Sequence, residues 1–529
     1  MRLRASLSLA ACLLLATSAA ASNHTVLPDG MGDFPTIQAA IDAAQPGDTV
    51  SLGNGVFTGA GNHRLHVNGK AITIRSAAGD PDLCEIDCAG DGRSFFFAFG
   101  EGPGTLIEGI TMRNGVVRYP DYGGGAIYIY QATPTIRNCA FENNYASAQT
   151  RDQGFGTGGA IYIDSAEPLI EECVFTGNIA DYDGGAVRCA YFASPVINGC
   201  VFSDNEASGG GGGVSIDENS SPILSDCFFN GNSAQYAGAI EVDRLSSPEI
   251  YNCEFHENTA AGAGGALSIY YTSNPVLQGC LFAGNRATGG GAIYSGYFSE
   301  PTIRFCTFYG NEGTNLASSI YCYYYSTVTV ENSILAGGAS GGSVHCLDGG
   351  SIVLSCADVW GNTGGDWIGC IAGQLGSDGN FSEDPLFCDI AGGNFRVAET
   401  SPCAASNSPA GCGTIGLGEG CVNVGVDQAE GNAPRSLRLV GNAPNPFNPT
   451  TTIRYIVPED GSEASVRLTI HDLSGRLVRT LVDEPRGAGE HREVWNGAND
   501  RGEPVASGIY FSRLLRGGES RTGRMVLVR

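Results

Sequence analysis

Over residues 101–375 the chain alternates apolar and polar positions in short stretches broken by turn residues, a pattern that predicts strands rather than helices. The stretches also repeat. Pro134, Pro168, Pro195, Pro222, Pro248, Pro275 and Pro301 are separated by 34, 27, 27, 26, 27 and 26 residues. Five residues after each proline stands a cysteine, Cys139 to Cys306; two later a phenylalanine, Phe141 to Phe308; three later an asparagine, Asn144 to Asn311. A glycine-rich turn and a further strand, such as Gly159-Ala-Ile-Tyr-Ile163, complete each unit. The one long spacing reflects an insertion at residues 148–156, read as a surface loop.

A unit near 27 residues cannot bury its own apolar face, whereas stacked units bury a continuous one. Three short strands and three turns per unit predict a right-handed parallel β-helix solenoid with identical positions stacked about 4.8 Å apart. Ile127, Ile161, Val187, Val214, Ile240, Leu267, Ile293 and Ile320 then form an inward column, with the Cys, Phe and post-proline Ile columns beside it. Between inward positions lies a variable set predicted to face outward: Tyr128, Tyr162, Arg188, Ser215, Glu241, Ser268, Tyr294 and Tyr321. Stacked asparagine amides would bond one another and the turn backbone.

The fold class is therefore all-β. Residues 22–430 are assigned to the β-helix, with regular coils over about 101–375 and capping segments on either side. Residues 431–450 read as a proline-rich linker, and alternating segments in 451–529 read as a small β-sandwich in which Trp495 and Tyr510 belong to the core. Glycine, 78 of 529 residues, is about twice as frequent as usual, in keeping with many turns.

The formal charge of −26 argues against nucleic acid as partner, since phosphate binding needs surplus Lys and Arg. From residue 433 onward 14 Arg face 11 acids, so the remainder carries −29. Residues 1–21 read as a secretory signal: Arg2 and Arg4, an apolar run from Leu7 to Leu15, and Ala19-Ala20-Ala21 as cleavage site. Leu9-Ala-Ala-Cys12 also resembles a bacterial lipoprotein box, although the apolar run continues past Cys12. No other run is long enough to span a bilayer, so the mature chain is not expected to be transmembrane. The seven ladder cysteines read as small packing residues; pairing between coils is allowed by distance, but seven cannot all pair among themselves. Cys84/Cys88, Cys346/Cys356, Cys370/Cys388 and Cys403/Cys412/Cys421 are the bridge candidates, with connectivity left open.

The motifs Phe175-Thr-Gly-Asn178 and Gly158-Gly-Ala-Ile161 resemble the repeats of chlamydial polymorphic outer-membrane proteins and, more broadly, the pectin-lyase-like β-helix superfamily. Asp29-Gly-Met-Gly-Asp33-Phe-Pro-Thr-Ile37 resembles the start of many such proteins, and Asp384-Pro-Leu-Phe387 with Ser401-Pro-Cys403 their closing segment. That superfamily holds enzymes, adhesins and phage spikes, so the resemblance implies fold more than activity. Asn445-Pro-Phe447-Asn-Pro449, His471-Asp-Leu-Ser-Gly475, Trp495-Asn-Gly497, Ala506-Ser-Gly-Ile-Tyr510 and Arg524-Met-Val-Leu-Val-Arg529 resemble type IX secretion C-terminal sorting domains, related to the Ig-like domain of flagellar hook-capping proteins. The resemblance implies that 451–529 is read by type IX export machinery. It implies secretion to the outer surface or exterior of a Gram-negative-type bacterium.

Catalytic signatures are sparse. The paired-carboxylate strings of polygalacturonase-like hydrolases are absent, and the only lysine, Lys70, precedes the regular coils. The best candidate cluster is Asp217, Glu241, Asp243 and Arg244, one coil apart on the outward face. Asp217 and Asp243 would bind a cation, share a proton or lean on Arg188 and Arg244. An oxygen-only donor set suits Ca²⁺, though no cofactor is firmly implied. His256 reads as an ordinary surface residue. Tyr128, Tyr162, Tyr270, Tyr294, Tyr321 and Tyr323, with Tyr130, Tyr271 and Tyr324 beside them, form an aromatic strip suited to stacking on sugars or anchoring a protein. The leading expectation is non-catalytic adhesion or recognition of a polysaccharide or cell-surface ligand; the alternative is a Ca²⁺-assisted polyuronate lyase.

Overall fold

The structure is a computed structural model that describes residues 21–148, 155–421, 437–443, 447–458, 465–472, 477–505, 508–517 and 519–527. The signal segment, the tip of the insertion, Pro434, Pro444, Pro446 and parts of the C-terminal motifs lie outside these residues. The chain is all-β, a right-handed parallel β-helix followed by a small sandwich. Each coil contributes to three parallel sheets. A sheet of thirteen strands, here the Pro sheet, runs from Asn23–Val26 to Ser351–Ser355. The Phe sheet has twelve strands from Gly55–Phe57 to Asp358–Trp360, and the Gly sheet has eighteen, with two short strands in most coils. Twelve steps of about 4.8 Å make a rod of roughly 60 Å.

Register follows the repeat. Phe141, Phe175, Phe202 and Phe229 are direct partners on successive strands, and the column continues through Phe255 and Phe282 to Phe308. Their rings stack at 4.6–5.0 Å and lie within 12° of parallel. Beside them runs a polar spine. Each buried asparagine from Asn144 to Asn285 donates its Nδ2 hydrogens to the next asparagine's Oδ1 and to a main-chain carbonyl, all at 2.9–3.0 Å. A second spine joins Ser220, Ser246, Ser273, Ser299 and Ser326, each hydroxyl accepting from the main-chain N–H one coil earlier. These ladders satisfy the polar groups that a solenoid corner would otherwise bury unpaired.

Four expectations are corrected. Coil stacking begins at Asn23, well before residue 101, because the N-terminal strands pair in the same parallel register. The helix Ile37–Ala43, capped by the Thr36 hydroxyl, and a 3-10 turn at Pro81–Leu83 interrupt the pattern, the helix covering the core with Ile37, Ala40 and Ile41. Residues 381–421 do not simply close the rod end. They fold back over the outer face of the Phe sheet, where Phe387, Phe395 and Leu417 cover Leu281, Ala283 and Tyr309. Two disulfides, Cys356–Cys412 and Cys388–Cys421, pin this segment, and Cys346–Cys370 ties the last coil. Cys84, Cys88 and Cys403, taken as bridge candidates, are free and buried like the seven ladder cysteines. Finally, the sandwich starts inside the expected linker, since Arg438–Ala443 pairs antiparallel with Thr451–Val457.

The sandwich packs a three-stranded sheet against a four-stranded one around Trp495, Tyr455 and Tyr510. Trp495 donates its Nε1–H to the Ala498 carbonyl at 2.9 Å, as a buried indole requires. Among the described residues no helix is long and apolar enough to cross a membrane.

Candidate functional site

The face expected to carry an open tyrosine strip is roofed over. Tyr128, Tyr162, Tyr294 and Tyr321 are each at most 8% exposed, and only Tyr270 and Tyr323 of the six reach a half-buried state. The cover comes from the loops that precede the strands, most of them glycine-rich, with Ala263, Leu316 and Ala317 packed on Tyr294 and Tyr321 and Gly289 against the Tyr321 ring. Gly124, Gly158, Gly184, Gly211 and Gly264 take φ between +62° and +83°, and a Cβ at any of them would strike the carbonyl oxygen three residues on. Freed of side chains, the loop lies against the strand. Arg93 reaches across to the Tyr122 and Gly123 carbonyls while its guanidinium sits 5.2 Å over the Tyr128 ring. Ser268 Oγ donates to Ala263 O in the same way.

The acidic cluster is brought together, but as a neutralised network. Asp217 Oδ2 accepts from Arg188 Nη2 at 2.8 Å and Arg244 Nη1 at 2.9 Å, while Arg188 Nη1 donates to Asp183 Oδ2 at 2.7 Å. Arg244 also reaches Glu218 at 3.0 Å and lies 3.8 Å from Asp243. Of the three outcomes open to this pair, Asp217 leans on the arginines. Two guanidiniums already balance its carboxylate, so the donor set does not fit Ca²⁺. Among the described residues no group of three His, Cys, Asp or Glu is placed to hold a metal ion. Burial, reinforced by Asp217, pushes the Asp243 carboxyl up to about 6, and burial with Asp183 nearby raises Glu241 well above the carboxylate range. Glu241 accepts from Ser215 Oγ at 3.1 Å and packs against Gly210, where a Cβ would collide with its carboxyl. His256 is half-buried, stacked 5.0 Å from Phe228 and 3.2 Å from Glu254.

What does face solvent is the corner between the Gly and Pro sheets. At six coils it is turned by two consecutive residues in the left-handed region, none of them glycine: Tyr191-Phe192, Glu218-Asn219, Arg244-Leu245, Tyr271-Thr272, Tyr297-Phe298 and Tyr324-Tyr325, with φ from 44° to 65°. Each side chain there costs about 1–2 kcal/mol relative to glycine. The conformation is enforced by a ladder, since the second residue's N–H donates to the first residue's carbonyl on the next coil, as in Phe298 to Tyr324 at 3.2 Å. Seven of the twelve positions carry Tyr or Phe. Phe192 is 69% exposed, Tyr325 61%, and Tyr271 and Phe298 53% each.

Over the last three of these coils the rings form one connected patch. Tyr271 lies 5.0 Å from Tyr297, Tyr297 5.3 Å from Tyr324, and Phe298 5.7 Å from Tyr325. Tyr270, Tyr294 and Tyr323 form the layer beneath. The sequence reading reached Tyr271 and Tyr324 but missed Tyr191, Phe192, Tyr297, Phe298 and Tyr325. A signal was present: the first five pairs stand four and three residues before the repeat prolines.

Matches to the family model for the right handed beta helix region cover residues 88–239 and 210–370, together more than half of the chain. The chain belongs to the right-handed beta helix family. A second family, the FlgD Ig-like domain, matches residues 445–513 within the sandwich. No curated protein matches the chain. Among solved structures, pectate lyase Pel9A is 14% identical over 75% of this chain and 96% of its own, with a TM-score of 0.38. Pectin methylesterase from carrot is 12% identical over 72% and 94%, at 0.24. PorZ, a surface component of the type-IX secretion system of Porphyromonas gingivalis, is 28% identical over 17% of this chain, at 0.13. The chain spans only 11% of PorZ's length. None of these likenesses carries chemistry across to this right-handed beta helix protein.

Proposed function

We propose that this protein is a non-catalytic recognition rod, displayed at a cell surface for adhesion or glycan binding. One observation carries the reading: exposed aromatic rings stand on paired left-handed turn positions at successive coils, where Gly or Asn would sit with less strain. Strain retained at the surface of a rigid scaffold is a mark of selected function. Tyr and Phe supply large contact area with few rotatable bonds, so a rigid ladder of them binds at low entropic cost.

Delivery follows from the chain ends. Residues 1–21 act as the export signal, and the sandwich, through its likeness to type IX sorting domains, engages that machinery and leaves the solenoid outside a Gram-negative-type cell. A polyuronate lyase on the same scaffold is the second reading, favoured by one feature, the raised Asp243 carboxyl beside Arg244. A glycan array probed with the purified chain, run beside an ultraviolet assay for unsaturated products from acidic polysaccharides, separates the two. Binding without turnover, lost in a Tyr297→Ala/Phe298→Ala double variant, is the expected result. Product release abolished by Asp243→Asn would overturn it.

A further inference from the structure

We propose that the aromatic corner formed by Tyr271, Tyr297, Phe298, Tyr324 and Tyr325 takes a linear polymer of cationic amino sugars. The assignment rests on the recognition reading above and specifies its ligand class.

Charge is the first argument. Residues 240–350 hold nine acidic residues, three arginines and no lysine, and of the nine only Glu241 has its charged form strongly disfavoured by burial. Each arginine is already committed: Arg244 to Asp217 and Glu218, Arg286 to Glu312 at 3.1 Å, and Arg304 to Glu331 at 2.7 Å. The patch therefore sits in a negative field with no uncommitted arginine on these coils. It repels polyuronates, and it attracts ammonium groups. One acidic residue borders the rings directly: the Asp348 main-chain carbonyl accepts from the Tyr325 N–H at 3.1 Å. The Tyr323 phenol is raised by burial and by a hydrogen bond to Asp348. Tyr270, in the layer beneath, lies within electrostatic reach of Asp243.

Ring geometry is the second argument. Tyr324 crosses Phe298 at 82° and Tyr325 at 81°, so parallel stacking does not consume every ring face. The faces carry the negative part of the ring quadrupole and attract ammonium ions, and the phenol oxygens accept their N–H groups.

Repetition is the third. The same chemistry returns at Tyr271, Tyr297 and Tyr324, one coil apart at about 4.8 Å. A comb of equal sites along a rigid axis matches a chain of equal units and gains affinity by multivalency.

The test uses short glucosamine oligomers, their fully N-acetylated counterparts, polygalacturonate and oligolysine, titrated into the full-length mature chain. Glucosamine oligomers are expected to bind at least tenfold more tightly than the acetylated set, and more weakly at high salt. Tyr325→Ala should lower that affinity about tenfold. Asp348→Asn, which keeps a residue tolerant of the left-handed turn, should lower it about threefold. Equal binding of free and acetylated oligomers would overturn the charge assignment while leaving glycan recognition standing. Oligolysine binding as tight as glucosamine and indifferent to Tyr325→Ala would overturn the ring assignment. Absence of binding to any glycan would end both readings.

Discussion

Replacing Asn232 with Ala probes the polar spine of the solenoid directly. Asn232 is fully buried. Its Oδ1 accepts from the Asn205 main-chain N–H at 3.1 Å and from Asn205 Nδ2 at 2.9 Å, and its own Nδ2 donates to Phe202 O and Asn258 Oδ1 at 2.9 Å each. Truncation strands two donors on Asn205, while the Phe202 carbonyl stays in the parallel ladder with the strand Phe228–Asn230 and Asn258 Oδ1 keeps the main-chain N–H of residue 232 at 3.1 Å. At about 1–2 kcal/mol for each buried group left unpaired, the loss is roughly 2–4 kcal/mol. Asn144, at the start of the spine, has Gly115 rather than an amide side chain before it and accepts only that residue's N–H at 2.9 Å among the described residues. Asn144→Ala therefore strands one donor fewer and should cost about 1–2 kcal/mol less. Hydrogen exchange followed by mass spectrometry reads the effect coil by coil. Because solenoid stability is a sum of nearest-neighbour terms, opening should rise at least about thirtyfold around residues 205–258 and hardly change beyond Asn311. An unchanged exchange pattern, or a loss below about 1 kcal/mol, would show that the amides do not hold the coils together and would refute the reasoning.

Three further outcomes are expected. Asp358 is buried and accepts from the Glu383 N–H and the Cys403 thiol, and burial pushes its carboxyl up to about 7. Its ionisation thus favours the unfolded chain, and stability should fall as pH rises from about 4 to about 7; Asp358→Asn should flatten that slope and melt higher than wild type at pH 8, whereas parallel melting curves at pH 5 and pH 8 would contradict it. The described residues hold twelve free, buried cysteines; a chain starting at Ser22 should show twelve thiols in denaturant without reductant and almost none when native, and a lower denatured count would mean that the ladder is oxidised. Phe298→Asn removes ring contacts to Tyr324 and Tyr325 worth about 0.5–1.5 kcal/mol each but relieves about 1 kcal/mol or more of left-handed strain. Its unfolding free energy should stay within about 1 kcal/mol of wild type while glycan binding falls; a loss above about 2 kcal/mol would show that the ring is there for packing.

Part of the site was legible because the repeat converts sequence offsets into positions. The inward columns and the Phe stack follow once units of 26–27 residues are laid over one another, whereas the pairing of Asp217 with Arg188 and Arg244 is one of three outcomes that register leaves open. Register alone did not say which outward positions stay open. Tyr128, Tyr162, Tyr294 and Tyr321 alternate correctly along their strands yet are buried, the first two beside loops with glycines at positive φ and the last two against Ala263, Leu316 and Ala317. Tyr297, Phe298 and Tyr325 are in a turn, where period-two reasoning has nothing to count.

From its linear order alone, this chain determines a stacked β-solenoid with a separate C-terminal sandwich, because each 26–27-residue unit can satisfy its apolar face and its amides only with another copy of itself. Tertiary structure decided which surface remains for a ligand. The loops before the strands cover one face, residues 381–421 pinned by two disulfides cover part of another, and the aromatic corner is left outside. The cover by residues 381–421 arises where a non-repeating segment meets the rod across a long sequence separation, which no internal period encodes, and the openness of the repeated corner depends on backbone angles that residue counting does not supply.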